Sequence, residues 1–345
     1  MRIRTNGSNV PRQITRSLKL SRDDIYHSIS DRSQPCFIGS EVAWHVLKAG
    51  YRARLVVRRA EQTQKLQRVF ALYAAQLEFA VVPDLTVLGA YDEVLQGVEY
   101  VLHLASPLPG SGDKNLLVPA VRGTVSILHS AKKVESVKKV VVTASVVSLI
   151  PFKADRKELV VKETTDVGDV TEEEAAASNP FEQYHASKLA SYKATIDFVN
   201  EQHPQFDVAT LHPVFVYGPN RVQESASELG GTNGMLYQAL LTGKLFAGQY
   251  RGVHVDDVAT AHVKVLNDSI KGLQPYLLAG PARPWEEVEE FVHQRYPDLP
   301  VNLEKADGTG SVVDTSKAEE ELGLTFKGME EQVGDVIDQQ LSFKK

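Results

Sequence analysis

Short apolar segments alternate with longer helical ones along most of this chain, and this alternation limits the fold more than any other feature. Helices are predicted where apolar residues recur at helical spacing, as in Val42, Val46 and Leu47 before the closing Gly50. Val- and Leu-rich segments too short for helices are typical of buried parallel strands. Strands are predicted at 54–58, 77–82, 98–104, 137–143 and 206–211, and helices at 39–50, 91–96, 115–133 and 181–202. The simplest arrangement of such βαβ units is an α/β fold with a Rossmann-type doubly wound parallel sheet.

The pattern changes after Gly218-Pro219, where glycines and polar residues replace the regular alternation. We therefore expect a dinucleotide-binding Rossmann domain at 36–217. We expect a smaller, mainly substrate-binding C-terminal lobe at 218–345, with some segments returning to the sheet. Residues 1–35 are atypical, since the first 22 contain six Arg or Lys residues and no acidic residue. A disordered N-terminal segment is expected there, with a mitochondrial transit peptide or a wrongly assigned start as alternatives.

Composition excludes several classes of function. The 345 residues carry a net charge of −6 with both signs interspersed, whereas a nucleic-acid-binding protein needs a basic face. No apolar run approaches the roughly 20 residues of a membrane helix. Cys36 is the single cysteine, so no internal disulfide can form, and no His, Asp or Glu spacing resembles a metal site. We expect a cytoplasmic protein without metal, nucleic-acid or membrane partners; the sequence leaves open whether it is a monomer or a homodimer.

Tyr184 and Lys188 are the candidate catalytic pair. Because they are four residues apart on a predicted helix, their side chains share a face, with Cβ atoms about 5–6 Å apart. A phenol transfers protons poorly unless its pKa, normally about 10, moves toward the working pH, and a neighbouring ammonium would lower that pKa. With 12 tyrosines in the chain, such a pair also arises by chance on an ordinary surface helix. The surrounding residues decide between the two interpretations.

Ser145 supplies the context for this pair. The sequence Thr143-Ala-Ser145 ends an apolar strand, at the carboxyl edge of the sheet where ligands bind in this architecture. A serine hydroxyl beside a tyrosine hydroxyl can hold the oxygen of a substrate carbonyl as negative charge develops on it. We therefore favour a catalytic set of Ser145, Tyr184 and Lys188; a serine that only caps the strand end is the alternative.

Other strand ends reach the same edge of the sheet. Asp84 could place a carboxylate near an adenine, and the segment 103–107 would pass beside a nicotinamide ribose. The segment 211–219 leaves the sheet at the level of a nicotinamide ring. His103 and His212 are expected to be hydrogen-bonding loop residues rather than general bases.

The prediction of the cofactor rests on Arg58. At the end of the second strand an acidic residue would bind the ribose hydroxyls of NAD, whereas a cation accommodates the additional phosphate of NADP. Arg58-Arg59 occupies this place, 19 residues after Gly39, and the first acidic residue is Glu61. The sequence therefore predicts NADPH, with two solvated surface arginines as the alternative.

Taken together, these segments resemble the extended short-chain dehydrogenase/reductases of the NAD-dependent epimerase/dehydratase superfamily. Within them the chain is most similar to the dihydroflavonol reductases and the fungal methylglyoxal or aldehyde reductases. The resemblance covers residue 36 to the end and rests on Phe37-Ile-Gly39, Pro83-Asp84, 103–107, Ser145, Tyr184 with Lys188, His212-Pro213, 253–259 and 314–323.

This resemblance assigns a role to each candidate residue. It implies Tyr184 as proton donor, Lys188 as ribose anchor and pKa tuner, and Ser145 as the group that holds the carbonyl. It also implies Arg58 on the 2′-phosphate. The implied cofactor surface consists of Phe37, Ile38, Gly39, Arg58, Asp84, Leu85, Ala105, Ser106, Tyr184, Lys188, Pro213 and Val216.

The departure from the family lies at the front of the chain. The family opens with an apolar strand and a Thr-Gly-x-x-Gly-Phe-Ile-Gly turn, but here Ser33 and Cys36 stand where the first two glycines belong. Residues 24–30 are a poor candidate for the central buried strand. A Cβ at each glycine position costs of order 1–3 kcal/mol of strain, at the expense of cofactor affinity or stability. We therefore expect a degenerate first strand and glycine turn, which means either that the start of the chain is not the native one or that the protein binds its cofactor poorly.

The predicted function is the NADPH-dependent reduction of a ketone or aldehyde to an alcohol on a medium-sized, secondary-metabolite-type substrate. Phe152, Phe215 and Tyr217 would shape an apolar pocket, with packing as their alternative role. Two other functions stay open. A nucleotide-sugar epimerase or dehydratase of the same superfamily would require NAD and an acidic residue at the position of Arg58. A cofactor-poor relative would act as a binding or sensor protein.

Overall fold

A parallel sheet of seven strands forms the centre of the computed structural model, which describes residues 24–28, 37–107, 116–157, 159–308 and 310–344. Its strands are β1 Asp24–Ser28, β2 Arg52–Val57, β3 Leu77–Val81, β4 Tyr100–His103, β5 Lys139–Thr143, β7 Asp207–Pro213 and β10 Leu273–Leu278. Their spatial order across the sheet is β10, β7, β5, β4, β1, β2 and β3. The chain reverses its direction of progress across the sheet between β1 and β4, which is where ligands bind in doubly wound folds.

Helices cover both faces of the sheet because successive strand residues point to opposite sides. On one face, Val141 of β5 packs in a core shared with helices α1 (Phe37–Lys48) and α7 (Val255–Lys264). On the other, Val140 and Val142 pack against α3 (Leu117–Lys132) and α5 (Pro180–Gln202). The Rossmann-type α/β fold predicted from the sequence is confirmed.

One prediction about the central strand is wrong. The segment 24–30 was expected to be a poor candidate, yet Asp24–Ser28 forms β1 and pairs in parallel with β2 on one side and β4 on the other. Ile25 is completely buried in the main core. A strand with neighbours on both sides takes its stability from the ladder and from packing, which a search for apolar runs does not detect. Residues 29–36, which contain the altered glycine turn, lie outside the described residues.

The short helix predicted at 91–96 is also wrong, because these residues form turns. Leu95 N donates to Tyr91 O at 3.0 Å, which closes one helix-like turn within the segment. Tyr91 and Leu95 are fully buried, so the apolar spacing serves this turn instead of a helix.

A second core lies apart from the two faces of the sheet and contains Trp285, Tyr250 and Tyr217, packed with Val333. It joins α6 (Gly231–Thr242), α8 (Trp285–Arg295), α10 (Met329–Ser342) and β8 (Phe215–Tyr217). The helices α2 (Glu61–Val69) and α9 (Ser316–Leu322) instead pack in the core that α1 and α7 share with the sheet. The other elements are α4 (Glu172–Ala176), β6 (Val160–Val161) paired with β11 (Val312–Val313), and β9 (Gly252–His254), which pairs with β8. In the part of the chain that the structure describes, no helix combines the length and apolar character needed to cross a bilayer.

Shortening Ile25 should destabilise the whole sheet. We expect Ile25→Ala to lower the free energy of unfolding by about 2–5 kcal/mol, because the side chain is fully buried in a strand with partners on both sides. Leu72→Ala is the matched control, since Leu72 is 97% exposed and its truncation should change stability by less than about 0.5 kcal/mol. Urea unfolding of the two variants measures both effects. Equal stabilities would show that β1 is not part of the folded sheet.

Candidate active site

Ser145 lies just beyond the end of β5, at the carboxyl edge of the sheet. It has an extended backbone and precedes a 3-10 helix at Val146–Leu149. Its hydroxyl group lies close enough to the Tyr184 phenol to act on the pKa of that tyrosine. The sequence predicted that these two hydroxyl groups would meet, although they are separated by a loop and the start of a helix, and the structure brings them together.

Tyr184 is positioned by the start of α5. The Asn179 side chain accepts hydrogen bonds from the main-chain nitrogens of Phe181 and Glu182, at 3.0 Å each, and Pro180 occupies the first helical position. The Glu182 carboxylate accepts from Asn179 N at 3.1 Å, which completes a capping box. These contacts fix the first turn, and Tyr184 follows in the second.

The pKa of Tyr184 moves in the direction opposite to the one expected. The sequence suggested that Lys188 would lower the pKa of Tyr184, but burial raises it, and the Ser145 hydroxyl only partly opposes that rise. The Lys188 ammonium lies 5.7 Å from the centre of the Tyr184 ring. The result is a phenol held in its protonated form, which is the form that a proton donor requires.

Lys188 is buried and lines a narrow polar cavity between α5 and the strand ends. Its charge acts on His103, whose pKa falls to about 3, mainly through burial and secondarily through Lys188. The other lining residues are Ala105, Ser106, Thr124, Val142, Thr143, Ala144, Ser191, Tyr192, Thr195 and Thr210. The predicted cofactor residues Ala105 and Ser106 therefore share a cavity with Lys188.

His103 and His212 were expected in loops, and this is wrong. His103 is the last residue of β4 and His212 the penultimate residue of β7, and both are buried. Apolar residues stand directly before and after each histidine, Leu102 and Leu104 around His103 and Leu211 and Pro213 around His212. Burial lowers the pKa of both to about 3, so both are neutral hydrogen-bonding groups, as the sequence suggested for their chemistry.

Arg58 follows β2 at the carboxyl edge, as predicted. Its main-chain nitrogen donates to Gln62 Oε1 at 3.2 Å, and its Nε donates to the main-chain oxygen of Pro83 at 3.4 Å. Asp84 is exposed, and its Oδ1 accepts from Thr86 N at 2.9 Å. The charges of Asp84 and Arg58 both act on the buried Tyr91 phenol, whose pKa is raised chiefly by burial. Arg58 and Asp84 thus lie near one another.

The remaining predicted cofactor residues are spread over neighbouring elements of the same edge. Phe37, Ile38 and Gly39 form the first turn of α1, which contains no acidic residue. Leu85 and Val216 are buried, and Pro213 ends β7.

This donor set fits a dinucleotide. A helix start free of acidic side chains favours a pyrophosphate. A cation stands at the end of β2, and small residues with a buried lysine lie at the other end of the edge.

Tyr217 was predicted to shape a substrate pocket, and the structure corrects this. The Tyr217 ring is 1% exposed and stacks on Tyr250 at 5.5 Å, so it is a core residue. Phe215 packs edge-on against Phe246 at 5.2 Å. Phe152 packs edge-on against His185 at 5.5 Å. The aromatic residues at these positions pack against other rings, which is the alternative role that the sequence left open for them.

A charged cluster that the sequence gave no reason to expect joins α1 to the C-terminal half of the chain. Glu41 on α1 is buried and pairs with Arg221 Nε at 2.5 Å. His45 Nε2 lies 2.8 Å from Asp256 Oδ1, and Lys327 Nζ lies 3.2 Å from Asp256 Oδ2. Although Glu41, His45 and Asp256 could be ligands of a cation, Arg221 and Lys327 already neutralise both carboxylates. The partners are up to 211 residues apart, so no local pattern could reveal them.

Known proteins resemble this chain over most of its length. The model of the NAD dependent epimerase/dehydratase family matches residues 36–278. Ketoreductase sphI of Aspergillus fumigatus is 40% identical over 319 residues, which cover 89% of this chain and 95% of that protein. The NADPH-dependent methylglyoxal reductase GRE2 of Saccharomyces cerevisiae is 28% identical over 336 residues, covering 89% and 96%. The crystal structure of yeast methylglyoxal/isovaleraldehyde reductase Gre2 complexed with NADPH matches with a TM-score of 0.81 at 25% identity, covering 93% of this chain and 99% of that one.

Removal of Arg221 should destabilise the protein in a pH-dependent way. Burial opposes the ionisation of Glu41, but hydrogen bonds and charges of His45 and Arg221 outweigh it and hold the pKa below its ordinary value of 4.5. Arg221→Ala should therefore lower the free energy of unfolding by about 2–3 kcal/mol at pH 7. This is somewhat less than the loss expected on breaking a fully buried ion pair, because Arg221 retains contact with water.

The contribution of Glu41 is fully present above its ordinary pKa and is lost as the pH falls through the lower pKa of the folded state. The difference in the free energy of unfolding between parent and variant should therefore shrink as the pH falls over that interval. Urea unfolding at a series of pH values measures this difference. Arg283→Ala, which breaks an exposed ion pair with Glu287, should cost less than about 1 kcal/mol. A pH-independent loss in Arg221→Ala would contradict the assignment.

Proposed function

Because the chain belongs to the NAD dependent epimerase/dehydratase family, we propose that it reduces a ketone or aldehyde to an alcohol through Ser145, Tyr184 and Lys188. It is an NADP-dependent oxidoreductase with a Rossmann-type fold. The substrate we propose is a medium-sized carbonyl compound of the secondary-metabolite type. The cytoplasm is the compartment we expect for this reaction.

The interaction of the Ser145 hydroxyl with the Tyr184 phenol carries this proposal. It places two hydroxyl groups side by side at the carboxyl edge of a doubly wound sheet, and a carbonyl oxygen that replaces their mutual contact would accept from both. Lys188 is buried within one helical turn of Tyr184. A packing role for these residues would not require two hydroxyl groups and an ammonium at one strand end.

The chain's own residues supply the position and the proton. NADPH, when bound, supplies a hydride to the carbonyl carbon. Ser145 donates a hydrogen bond to the substrate oxygen and holds it as negative charge develops. Tyr184 transfers its phenolic proton to that oxygen, so that C=O becomes CH–OH. Its raised pKa keeps the phenol protonated until the oxygen becomes basic enough to accept the proton.

The cofactor would lie along the carboxyl edge from β2 to β7. Arg58 would bind the 2′-phosphate, and the first turn of α1 would face the pyrophosphate. Lys188 would hydrogen-bond the ribose next to the nicotinamide, with Ala105 and Ser106 on the same cavity wall. Pro213 would face the nicotinamide ring. The cation at Arg58 is the feature that opposes the alternative of an NAD-dependent epimerase or dehydratase.

Relatives support a carbonyl substrate. The protein sphI is named a ketoreductase, and the yeast protein is named a methylglyoxal reductase. Methylglyoxal and a panel of larger aryl and alkyl ketones are therefore suitable test substrates. The assembled catalytic residues weigh against the alternative of a binding or sensor protein that has lost its chemistry.

Tyr184→Phe should abolish turnover without weakening cofactor binding. Loss of the proton donor should lower kcat by about 10²–10⁴-fold, whereas the dissociation constant of NADPH should stay within a factor of about two or three, since the ring and Lys188 remain. Oxidation of NADPH with the substrate panel measures kcat, and NADPH fluorescence measures binding. Full turnover by this variant would contradict the proposed mechanism. Absence of NADPH binding by the parent chain would favour the binding-protein alternative.

Arg58→Ala should weaken NADPH binding and leave NADH binding nearly unchanged. A hydrogen-bonded contact to a charged phosphate contributes about 1.5–3 kcal/mol, which corresponds to roughly a ten- to hundredfold change in the dissociation constant. Arg68→Ala removes the same charge from the exposed face of α2, where Arg68 pairs with Glu224, and serves as the control. Parallel fluorescence titrations measure all four affinities. A loss of equal size for NADPH and NADH would assign Arg58 to the shared part of the cofactor instead.

A further inference from the structure

His212 is fully buried next to Ser145, and the mechanism above gives it no role. Its Nδ1 lies 2.8 Å from Ser148 Oγ and 3.3 Å from the main-chain oxygen of Ser145. Its Nε2 lies 2.8 Å from Thr210 Oγ1. The ring of Tyr192 packs edge-on against the imidazole at 4.7 Å. His212 therefore connects β7 and α5 to the turn that begins at Ser145.

One arrangement of protons satisfies all of these contacts. The main-chain oxygen of Ser145 can only accept, so His212 Nδ1 donates, and so does Ser148 Oγ, which lies 2.5 Å away from that oxygen. Ser148 Oγ also accepts from Nδ1. With Nδ1 protonated, the neutral ring accepts at Nε2 from the Thr210 hydroxyl. The hydrogen bonds therefore point in a single direction, from Thr210 to the Ser145 carbonyl.

This arrangement requires a neutral imidazole. Burial lowers the pKa of His212 to about 3, and the charges of Lys188 and Lys317 act in the same direction, while the Ser145 carbonyl only partly opposes them. A protonated ring would direct a second N–H at Thr210, whose hydroxyl would have to reverse. The direction of this series of hydrogen bonds therefore persists throughout the neutral pH range.

The His212 side chain acts at the point where the backbone ladder between β5 and β7 ends. Ala144 N donates to Leu211 O at 2.8 Å, but Pro213 has no N–H with which to continue the ladder. The Ser145 carbonyl, one residue beyond the end of this ladder, accepts from Ser148 N at 2.9 Å, from Ser148 Oγ and from His212 Nδ1. Three donors on this carbonyl fix the Ser145 ψ angle of 154° and, with it, the direction of its Cα–Cβ bond.

We propose that His212 is a positioning residue for carbonyl reduction, holding the Ser145 carbonyl and the following turn so that the Ser145 hydroxyl keeps its place beside Tyr184. The inference rests on the proposed function, because the direction of the Ser145 side chain affects turnover only if its hydroxyl holds the substrate oxygen. His212 itself touches neither substrate nor cofactor in this scheme. A displacement of about 1 Å at a group that positions the substrate costs on the order of a hundredfold in rate.

Two polar substitutions separate the two ends of the imidazole. His212→Asn can present an N–H near the position of Nδ1 and so keep the bond to Ser148, but it cannot reach Thr210. His212→Gln can reach Thr210 and loses the donor toward Ser148. We expect His212→Gln and Ser148→Ala to lower kcat on the order of ten- to hundredfold. His212→Asn should stay within about threefold of the parent.

His262 provides the matched control. It is also fully buried, its Nε2 lies 2.7 Å from Thr143 Oγ1 on β5, and its Nδ1 donates to Val258 O at 2.8 Å. His262→Gln should lower the melting temperature about as much as His212→Gln and leave kcat within about twofold. For every variant, KM and the dissociation constant for NADPH should match those of the parent, because the cofactor residues are unchanged.

A measurement without turnover tests the proton arrangement directly. The ¹⁵N NMR signals of His212, assigned by comparison with His212→Asn, should show a protonated Nδ1 and an unprotonated Nε2 from pH 5 to pH 9. A proton on Nε2 would overturn the proposed direction of these hydrogen bonds.

The kinetic outcomes separate this inference from the proposed function. Loss of kcat in His212→Gln and Ser148→Ala, with near-parental kcat in His212→Asn and His262→Gln, supports it. Parental kcat in His212→Gln and Ser148→Ala overturns it, as does a loss that merely follows melting temperature across all four variants. Tyr184→Phe is measured in parallel: if Tyr184→Phe is fully active the proposed function itself fails, whereas an inactive Tyr184→Phe beside an active Ser148→Ala refutes the positioning role alone.

Discussion

The contact between Ser145 and Tyr184 joins the end of a sheet strand to the second turn of a helix, and the chemistry depends on holding these two elements in register. Two further contacts do so. His185 Nε2 donates to the main-chain oxygen of Ile150 at 2.8 Å, which ties α5 to the residue after the Ser145 turn. The ring of Tyr192, two helical turns beyond Tyr184, packs edge-on against His212 on β7 at 4.7 Å. Helix α5 is therefore attached along its length to the strand ends that carry the reacting groups.

The electrostatics of the site concentrate positive charge in one group. His103 and His212 both face Lys188, and burial together with the Lys188 charge keeps both imidazoles neutral. Lys188 therefore remains the cation of this polar cavity, in a buried setting where its field is screened less than at a surface. A second protonated group beside it would compete for the same acceptors and would bring like charges together in a medium of low dielectric constant.

Short-range sequence patterns predicted the elements whose formation depends mainly on residues close together in the sequence. The strand around Val140 and helix α5 follow from apolar runs and helical spacing, and the meeting of Ser145 with Tyr184 follows from the rule that parallel strands end at one edge. β1 was missed because its burial depends on two neighbouring strands, with Ile25 as the buried apolar residue. The pair of Glu41 with Arg221 joins residues 180 positions apart, and periodicity carries no information at that distance. The division of the chain at 217/218 and the roles of the cofactor residues remain predictions.

The attachment of the C-terminal half to α1 has a consequence for recombining this enzyme with its relatives. Strand β10 and helix α7 come from beyond residue 218, yet one forms the edge of the large sheet and the other shares a core with α1. A graft that exchanges 218–345 to transfer substrate preference would also replace an edge strand and remove the Arg221 partner of Glu41. Successful chimeras will have to keep β10, α7 and Arg221 with the parent sheet and exchange only the segments between and after them.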